Sequence, residues 1–432
     1  MATVTGSRQS ASGRAAMACM LVVGALVSRV ALPAETVWLA YALLAVYAMR
    51  GRAEALLALA LCCLFNLFNP GLAAPLAGWE RYVVLAAAVA SVAWRGWRPG
   101  MPRGGVTALD TVVFATLLLG GFLVIHAVAF SRYADISLLK AVLWTATMAA
   151  SASAWAHLSP DRRDALARRL RWGLIATMLA SGALLGSPDG YLRNDVGFQG
   201  ITSHPQSFGV VMALLCAWSW GLFGACDRGV LPSAVTVAGS LVMVVLSAAR
   251  TGAAALVLAI AVAPLAAAVT YQDDLNAFLN KRGWQGTATI DPVEQFREAR
   301  GPMLRDMWAN IRHDPWRGVG FGVASRPELV AVERAFGVPV AASVEKGTMP
   351  LAILEETGTA GLLAVSWWCW IVVRRAARAG AAQLTVTLTV LIVNLGESML
   401  FSPGGVGLLC MVLLGWASTP AGATRPPAPT RP

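Results

Sequence analysis

The sequence predicts an all-α fold, a polytopic transmembrane helical bundle of about twelve spans with one long, partly helical outer loop. Three observations lead there. First, 57% of the 432 residues are hydrophobic and only 13% charged, where a soluble protein would carry about a quarter charged residues. Second, apolar runs of about 18 or more residues recur without the alternation of a barrel strand, matching helices that cross a hydrocarbon core ~30 Å thick. Third, the net charge of +11 comes from arginines in short clusters between those runs. That is a membrane-orientation pattern, so nucleic acid is not an expected partner and the lipid bilayer is.

Candidate spans run over 15–31, 34–49, 53–68, 82–95, 109–130, 136–157, 172–187 and 207–225. A continuous apolar block follows at 231–270, and three more spans lie near 348–373, 380–397 and 400–418. The first run follows Arg8 and Arg14 without a small-residue cleavage pattern and reads as a retained span. The seven cysteines lie in or beside apolar runs and lack metal-ligand spacing, so neither disulfides nor a bound metal are expected. The Pro-rich tail, 419–432, reads as disordered and cytoplasmic.

Arg50/Arg52, Arg95/Arg98/Arg103, the run from Asp161 to Arg171, Arg228 and Arg374–Arg378 belong on the cytoplasmic side. Alternation then places residues 271–347 outside. With ten basic and ten acidic residues this segment is neutral, and long loops translocate largely regardless of charge. Cytoplasmic Arg228 and external Tyr271 require an odd number of crossings, yet 231–270 resembles two helices broken at "SAARTG". A span to about Ala249 and a re-entrant or interfacial segment over 251–270 satisfies the parity. The division is therefore a 1–270 bundle, a 271–347 loop domain, and C-terminal helices over 348–418. In the loop, "DPVE" offers Asp291 as N-cap and Pro292 as first helical residue. Leu304, Met307, Trp308 and Ile311 mark one helix face, and "SRPE" starts a second helix ending at Gly337.

Three stretches stand together on the outer side: "YLRNDVGFQGITSHPQSFG" (Tyr191–Gly209), "SAARTG" around Arg250, and "MWANIRHDPWRGVGFG" (Met307–Gly322) leading to Glu345 and Lys346. The order Gly200-x-x-x-His204-Pro205-Gln206-x-x-Gly209, Ser247-x-x-Arg250-Thr251-Gly252, Trp308…Asp314-Pro315-Trp316-x-Gly318-Val319-Gly320-Phe321-Gly322 and "LEETGTAGLL" (Leu354–Leu363) resembles the O-antigen ligase/polymerase superfamily. The resemblance covers roughly residues 170–418. It implies a metal-independent, inverting glycosyltransferase without cofactor, in the bacterial inner membrane with its long loop in the periplasm. The implied donor is an undecaprenyl-pyrophosphate-linked oligosaccharide, and a chain-length regulator is a candidate protein partner.

Such chemistry needs cations for the leaving pyrophosphate and a base for the attacking hydroxyl. Arg250 is the first cation candidate, because an arginine among apolar helices is costly; the alternative is an interfacial arginine reaching lipid head groups. Arg193 is a second, although family members carry an arginine immediately before the glycine where this chain has Gln199. Arg312 and Arg317 flank the Asp314–Pro315 turn as cations or as solvated loop residues. Ligases of the family have a histidine just before the helix that follows the loop. Here "VEKGTM" has none, which favours a polymerase-like relative. Glu345 can replace that base and Lys346 can hold phosphate, or the pair only marks the interface. His204 is a catalytic candidate or a cap for the next helix; His313 is a catalytic candidate or the end of its helix. "GVGFG" lacks the Lys-Ser/Thr of a nucleotide loop and reads as a tight turn.

Glu355 and Glu356 lie deeper in the helix opened by "SVEKGTMPLAILEETG". Glu356 matches the E-x-G position of the family resembled and is expected to be buried against a partner such as an arginine or backbone groups, holding helices in place. The expected function is polymerisation of lipid-linked repeat units into exopolysaccharide, capsule or O-antigen. Ligation of finished glycan to lipid A-core or another acceptor is the alternative, and a transporter or flippase a third.

Overall fold

A computed structural model describes residues 3–76, 78–96, 110–192, 197–223, 230–261, 292–330, 332–335, 337–342 and 346–419. The apolar runs fold as helices: α1 (Thr3–Ala31), α2 (Trp38–Ala48), α3 (Arg52–Asn66), α4 (Glu80–Gly96), α5 (Thr111–Phe130), α6 (Ala134–Ala156), α7 (Pro160–Gly182), α8 (Pro205–Phe223), α9 (Val230–Leu246) and α10 (Arg250–Ala261). Then come α11 (Pro292–His313), α12 (Met349–Ala379), α13 (Ala381–Gly396) and α14 (Gly405–Ala417). Three of them, α5, α6 and α12, are long and apolar enough to cross a membrane by length and composition, and shorter apolar helices surround them.

Helix α14 occupies the centre. Every residue from Val406 to Ala417 is buried, as expected of a helix that is apolar on all sides. It packs among α3, α6, α8 and α13. Trp155 of α6 donates its indole N–H to the Val412 carbonyl at 3.0 Å, and Trp218 of α8 meets Trp416 with ring centroids 4.5 Å apart. Indole rings contribute large apolar area here, and the Trp155 donor finds a backbone partner.

The 231–270 block divides where the sequence indicates. Helix α9 ends at Leu246, Ala248 takes a positive φ of 50°, and α10 starts at Arg250. Gly252 lets α10 approach α8: a Cβ there would lie 3.2 Å from the Gly209 carbonyl oxygen. Residues 262–291, including Asp291 and the last part (262–270) of the expected re-entrant segment, lie outside the described residues.

In the long loop, α11 begins at Pro292 as expected and continues through Pro302 to His313. Its buried face carries Met307 and Ile311, whereas Trp308 is 47% exposed, contrary to the expected face. The second loop helix does not form. Pro327–Leu329 makes one 3-10 turn, followed by an antiparallel hairpin of β1 (Val332–Ala335) and β2 (Val338–Ala342). Valines at 330, 332, 338 and 340 alternate with the period of a strand, and Gly337 supplies the positive φ of the turn, so β pairing overrides the capping-box start.

One end of the bundle is closed by two straps. The segment after α3 lies along the segment before α8: Asn69 N–H donates to the Ile201 carbonyl, Ser203 N–H to that of Leu67, and Phe68 bridges Thr202. The buried Asn69 amide donates to the carbonyls of Asp189 and Gly200 at 2.7 and 2.9 Å and accepts from Gly71 N–H at 2.9 Å. Buried Arg29 of α1 likewise donates to the carbonyls of Phe65 and Ala74. Asn69→Leu leaves these groups unsatisfied at about 1–3 kcal/mol each, so the melting temperature of the solubilised protein falls. An unchanged melting temperature would show that the straps do not depend on this side chain.

Candidate functional site

Helix α12 is interrupted. Gly358 has φ 65° and ψ −168°, outside the helical region, and a Cβ there would collide with the Trp316 carbonyl. Such a break orphans backbone groups that helix continuation would have paired. The "DPWRGVGFG" loop supplies the partners. Val319 N–H donates to the Glu355 carbonyl and Gly320 N–H to that of Glu356, while Thr359 N–H donates to the Pro315 carbonyl, each at 2.9 Å. Gly318, Gly320 and Gly322 all have positive φ, which lets the loop turn tightly and pass against the helix backbone.

The same break holds two carboxylates in the interior. Glu355 is fully buried and Glu356 is 2% exposed. Glu355 accepts from Asn310 of α11 at 2.7 Å and from the Ser325 hydroxyl at 3.0 Å, and pairs with Lys346 at 2.8 Å. Glu356 accepts from Gly322 N–H at 2.6 Å, and pairs with Lys346 at 3.2 Å and with Lys140 of α6 at 3.9 Å. Two ammonium groups therefore balance two carboxylates, and hydrogen bonds from Asn310, Ser325 and Gly322 add to them. Lys140 also lies 4.8 Å over the Phe321 ring. On the other side, His126 of α5 hydrogen-bonds the Arg317 carbonyl at 2.6 Å, and Arg132 N–H donates to the Val319 carbonyl.

A second polar group forms at the same end, where α8 and α10 begin and α13 ends. Glu397 accepts from the Gln206 amide in a short contact and from the Thr251 hydroxyl at 3.3 Å. Arg250, half-buried, is the residue before Thr251 and opens α10. The segment after α13 connects the two groups, because Phe401 meets Phe321 of the loop at 5.6 Å and Trp144 of α6 at 4.8 Å. The buried Asn394 amide shapes this segment by accepting from Met399 and Leu400 N–H.

His204 and Arg250 thus belong to the group around Glu397, and Lys346 and Glu356 to the group at the α12 break. His204 acts as a cap: its Nδ1 accepts from Gln206 N–H at 3.1 Å. Lys346, expected at an exposed mouth, is 3% exposed and engaged by both glutamates. Burial does not single out Glu356, since Glu355 shares it. Arg317 is exposed with its guanidinium 5.3 Å over the Phe130 ring. Arg312 and His313 are exposed at the end of α11. Arg193 and Glu345 lie outside the described residues. Among the described residues, no group of three or more His, Cys, Asp or Glu side chains is placed to hold a metal ion.

Sequence reasoning missed three participants. Lys140 stands inside "SLLKAVLW", and a lone lysine in an apolar helix is itself a signal. Glu397 in "NLGESML" carried the same signal at a helix end. Arg81, whose guanidinium lies beside Gly404 and 4.9 Å over the Tyr82 ring, reads in the sequence as an ordinary arginine before a span.

Removing one partner of a buried ion pair strands the other at a cost of about 3–5 kcal/mol. Lys346→Met therefore strongly destabilises the solubilised protein, and adding Glu355→Gln restores part of the loss. Thermal unfolding of the single and double variants checks this, and equal melting temperatures for both would refute the coupling. Gly358→Ala disrupts the loop-to-helix hydrogen bonds and raises amide hydrogen exchange over 315–322; unchanged exchange there would count against the break as the loop's anchor.

No protein-family model matches the chain, and no curated protein matches it in sequence.

Proposed function

We propose that this chain is an integral-membrane glycosyltransferase that polymerises glycan repeat units carried on undecaprenyl pyrophosphate. In this reading about twelve membrane segments cross a bacterial inner membrane, with the arginine-rich end in the cytoplasm and the long loop in the periplasm. The observation that carries the proposal is convergence. Four stretches far apart in sequence, around Gln206, Arg250, Gly318–Gly322 and Glu355–Glu356, meet at one end of the bundle through Glu397 and Phe401. Arg50, Arg52, Arg95, Arg162, Arg169 and the Asp110-paired Arg375 fall at the opposite end.

The reaction asks this end for two things. An acceptor hydroxyl gives its proton to a carboxylate as its oxygen attacks the anomeric carbon. The bond from that carbon to the pyrophosphate oxygen breaks with inversion, and the lipid pyrophosphate leaves carrying the electron pair. Arg250 at the N-terminus of α10 combines a fixed cation with the positive end of a helix dipole, the setting that favours a phosphate leaving group. Glu397, one hydrogen bond from the next residue, Thr251, is the described carboxylate nearest to that position along the hydrogen-bond network, and we assign it the base role. Lys346 then serves structure, because Glu355 and Glu356 engage its ammonium.

A transporter is the second reading, favoured by the interrupted α12 and its buried charges. In transporters such breaks face a substrate cavity, whereas here the chain's own loop fills the break. Arg250→Ala and Glu397→Gln should each lower polymerisation by about 10²–10³-fold, with lipid-linked repeat units accumulating and membrane abundance unchanged. A normal chain-length profile at normal abundance would sink the assignment. Full-length polymer still on its lipid carrier in a deletion strain would point to ligation instead.

A further inference from the structure

A large cavity lined by described residues lies at the other end of the molecule. Its volume is about 1520 Å³, well above the ~300–1,000 Å³ of ordinary small-molecule pockets. It opens between α1 and α7, which share no packed interface: α1 packs on α2, and α7 on α3, α8 and α9. Its two parts differ in chemistry. At the mouth stand Arg50, Arg52, Arg95, Arg162 and Arg169 with a single carboxylate, Glu54. Deeper, the walls are Val22 of α1, Leu61 and Leu64 of α3, and Leu174 of α7, with Leu409 of α14 at the floor.

Arg52 and Arg95 are held without being neutralised. Arg52 donates to the Arg95 carbonyl at 3.1 Å; Arg95 donates to the Met49 carbonyl at 2.8 Å and to Ser91. These acceptors are uncharged, and neither guanidinium has a carboxylate within ion-pair distance among the described residues. The buried Nε of Arg52 has no hydrogen-bond partner. Arg162 and Arg169, two helical turns apart, lie on the α7 face that lines the cleft. Planar guanidinium forks match phosphate oxygens, and basic pockets between membrane helices suit anionic head groups.

We propose that this cleft binds a phosphate-headed anionic amphiphile that enters from the bilayer, its phosphate among the five arginines and its hydrocarbon along Val22, Leu61 and Leu174. The site is independent of the glycosyltransferase reading, because it shares no residue with that site and lies at the opposite end.

The probes are phosphatidylglycerol, zwitterionic phosphatidylcholine and water-soluble glycerol phosphate. Binding of each to the solubilised full chain is measured by native mass spectrometry. Phosphatidylglycerol should bind in preference to phosphatidylcholine. The double substitution Arg162→Gln/Arg169→Gln should weaken it by about 30-fold, since each basic residue near an anionic head group contributes about fivefold. Both arginines are exposed, so the lipid-free melting temperature should not change. Gly173 also lines the cleft, and a Cβ there meets nothing within 4 Å. Gly173→Phe should therefore fill the apolar part and displace lipid without unfolding the protein. Equal binding of the two lipids, or indifference to both sets of substitutions, overturns the proposal. Glycerol phosphate binding as tightly as phosphatidylglycerol also overturns it, by identifying a soluble phosphate compound as the ligand.

Discussion

Two adjacent carboxylates inside a helix that must pack among apolar neighbours are the constraint on which much of this structure depends. Lys346 reaches both carboxylates, but one ammonium carries a single charge, so a second cation is needed to balance the pair. The protein meets the difficulty from three directions: Lys346 inserts between the two, Lys140 approaches from α6, and the Gly322 amide and Asn310 complete the shell. Breaking the helix at Gly358 is part of the same solution, since it frees the carbonyls of Glu355 and Glu356 to accept from the loop. The loop is consequently bound through both backbone and side chains, and its position follows from the glutamates.

That anchoring has a functional consequence. A loop between helices is ordinarily mobile, but here residues 319–324 are buried and the amides of Val319, Gly320 and Gly322 are bound to Glu355 and Glu356 of α12. The loop presents Arg317 outward while Phe321 points inward to Phe401 and Lys140. The Glu397 group and the α12 break are linked through the Phe321–Phe401 contact at one end of the bundle. At the opposite end Arg52 and Arg95 rest on neutral acceptors beside an open cleft. The buried carboxylates at one end are paired with lysines, whereas the other end gathers arginines around an apolar cleft.

Much of the fold was legible because membrane helices declare themselves by length and apolarity. The helix boundaries at Pro205, Arg250 and Pro292 followed from local signals, a proline or a small-residue break, that act within a few residues. The 325–337 stretch misled for a related reason. A capping box predicts only where a turn can start, and the later choice between helix and hairpin rested on the valine alternation and on Gly337. At the site, the charges at Arg250 and Glu356 stood out for their cost among apolar residues. Lys140 and Glu397 carried the same cost, yet no neighbouring motif drew attention to them.

The sequence by itself determined that the chain forms an apolar helical bundle, where its charges interrupt it, and that the glutamate pair needed partners. Those properties follow from hydrophobicity and desolvation, which act on each residue whatever its neighbours. Only the tertiary structure decided who the partners are. Lys346 turned inward to join the glutamates instead of staying at the surface, the glycine-rich loop entered the break at Gly358, and Glu397 came to stand beside Thr251. These pairings span up to 216 residues, from Lys140 to Glu356, and depend on shape and distance after packing. No local pattern encodes them.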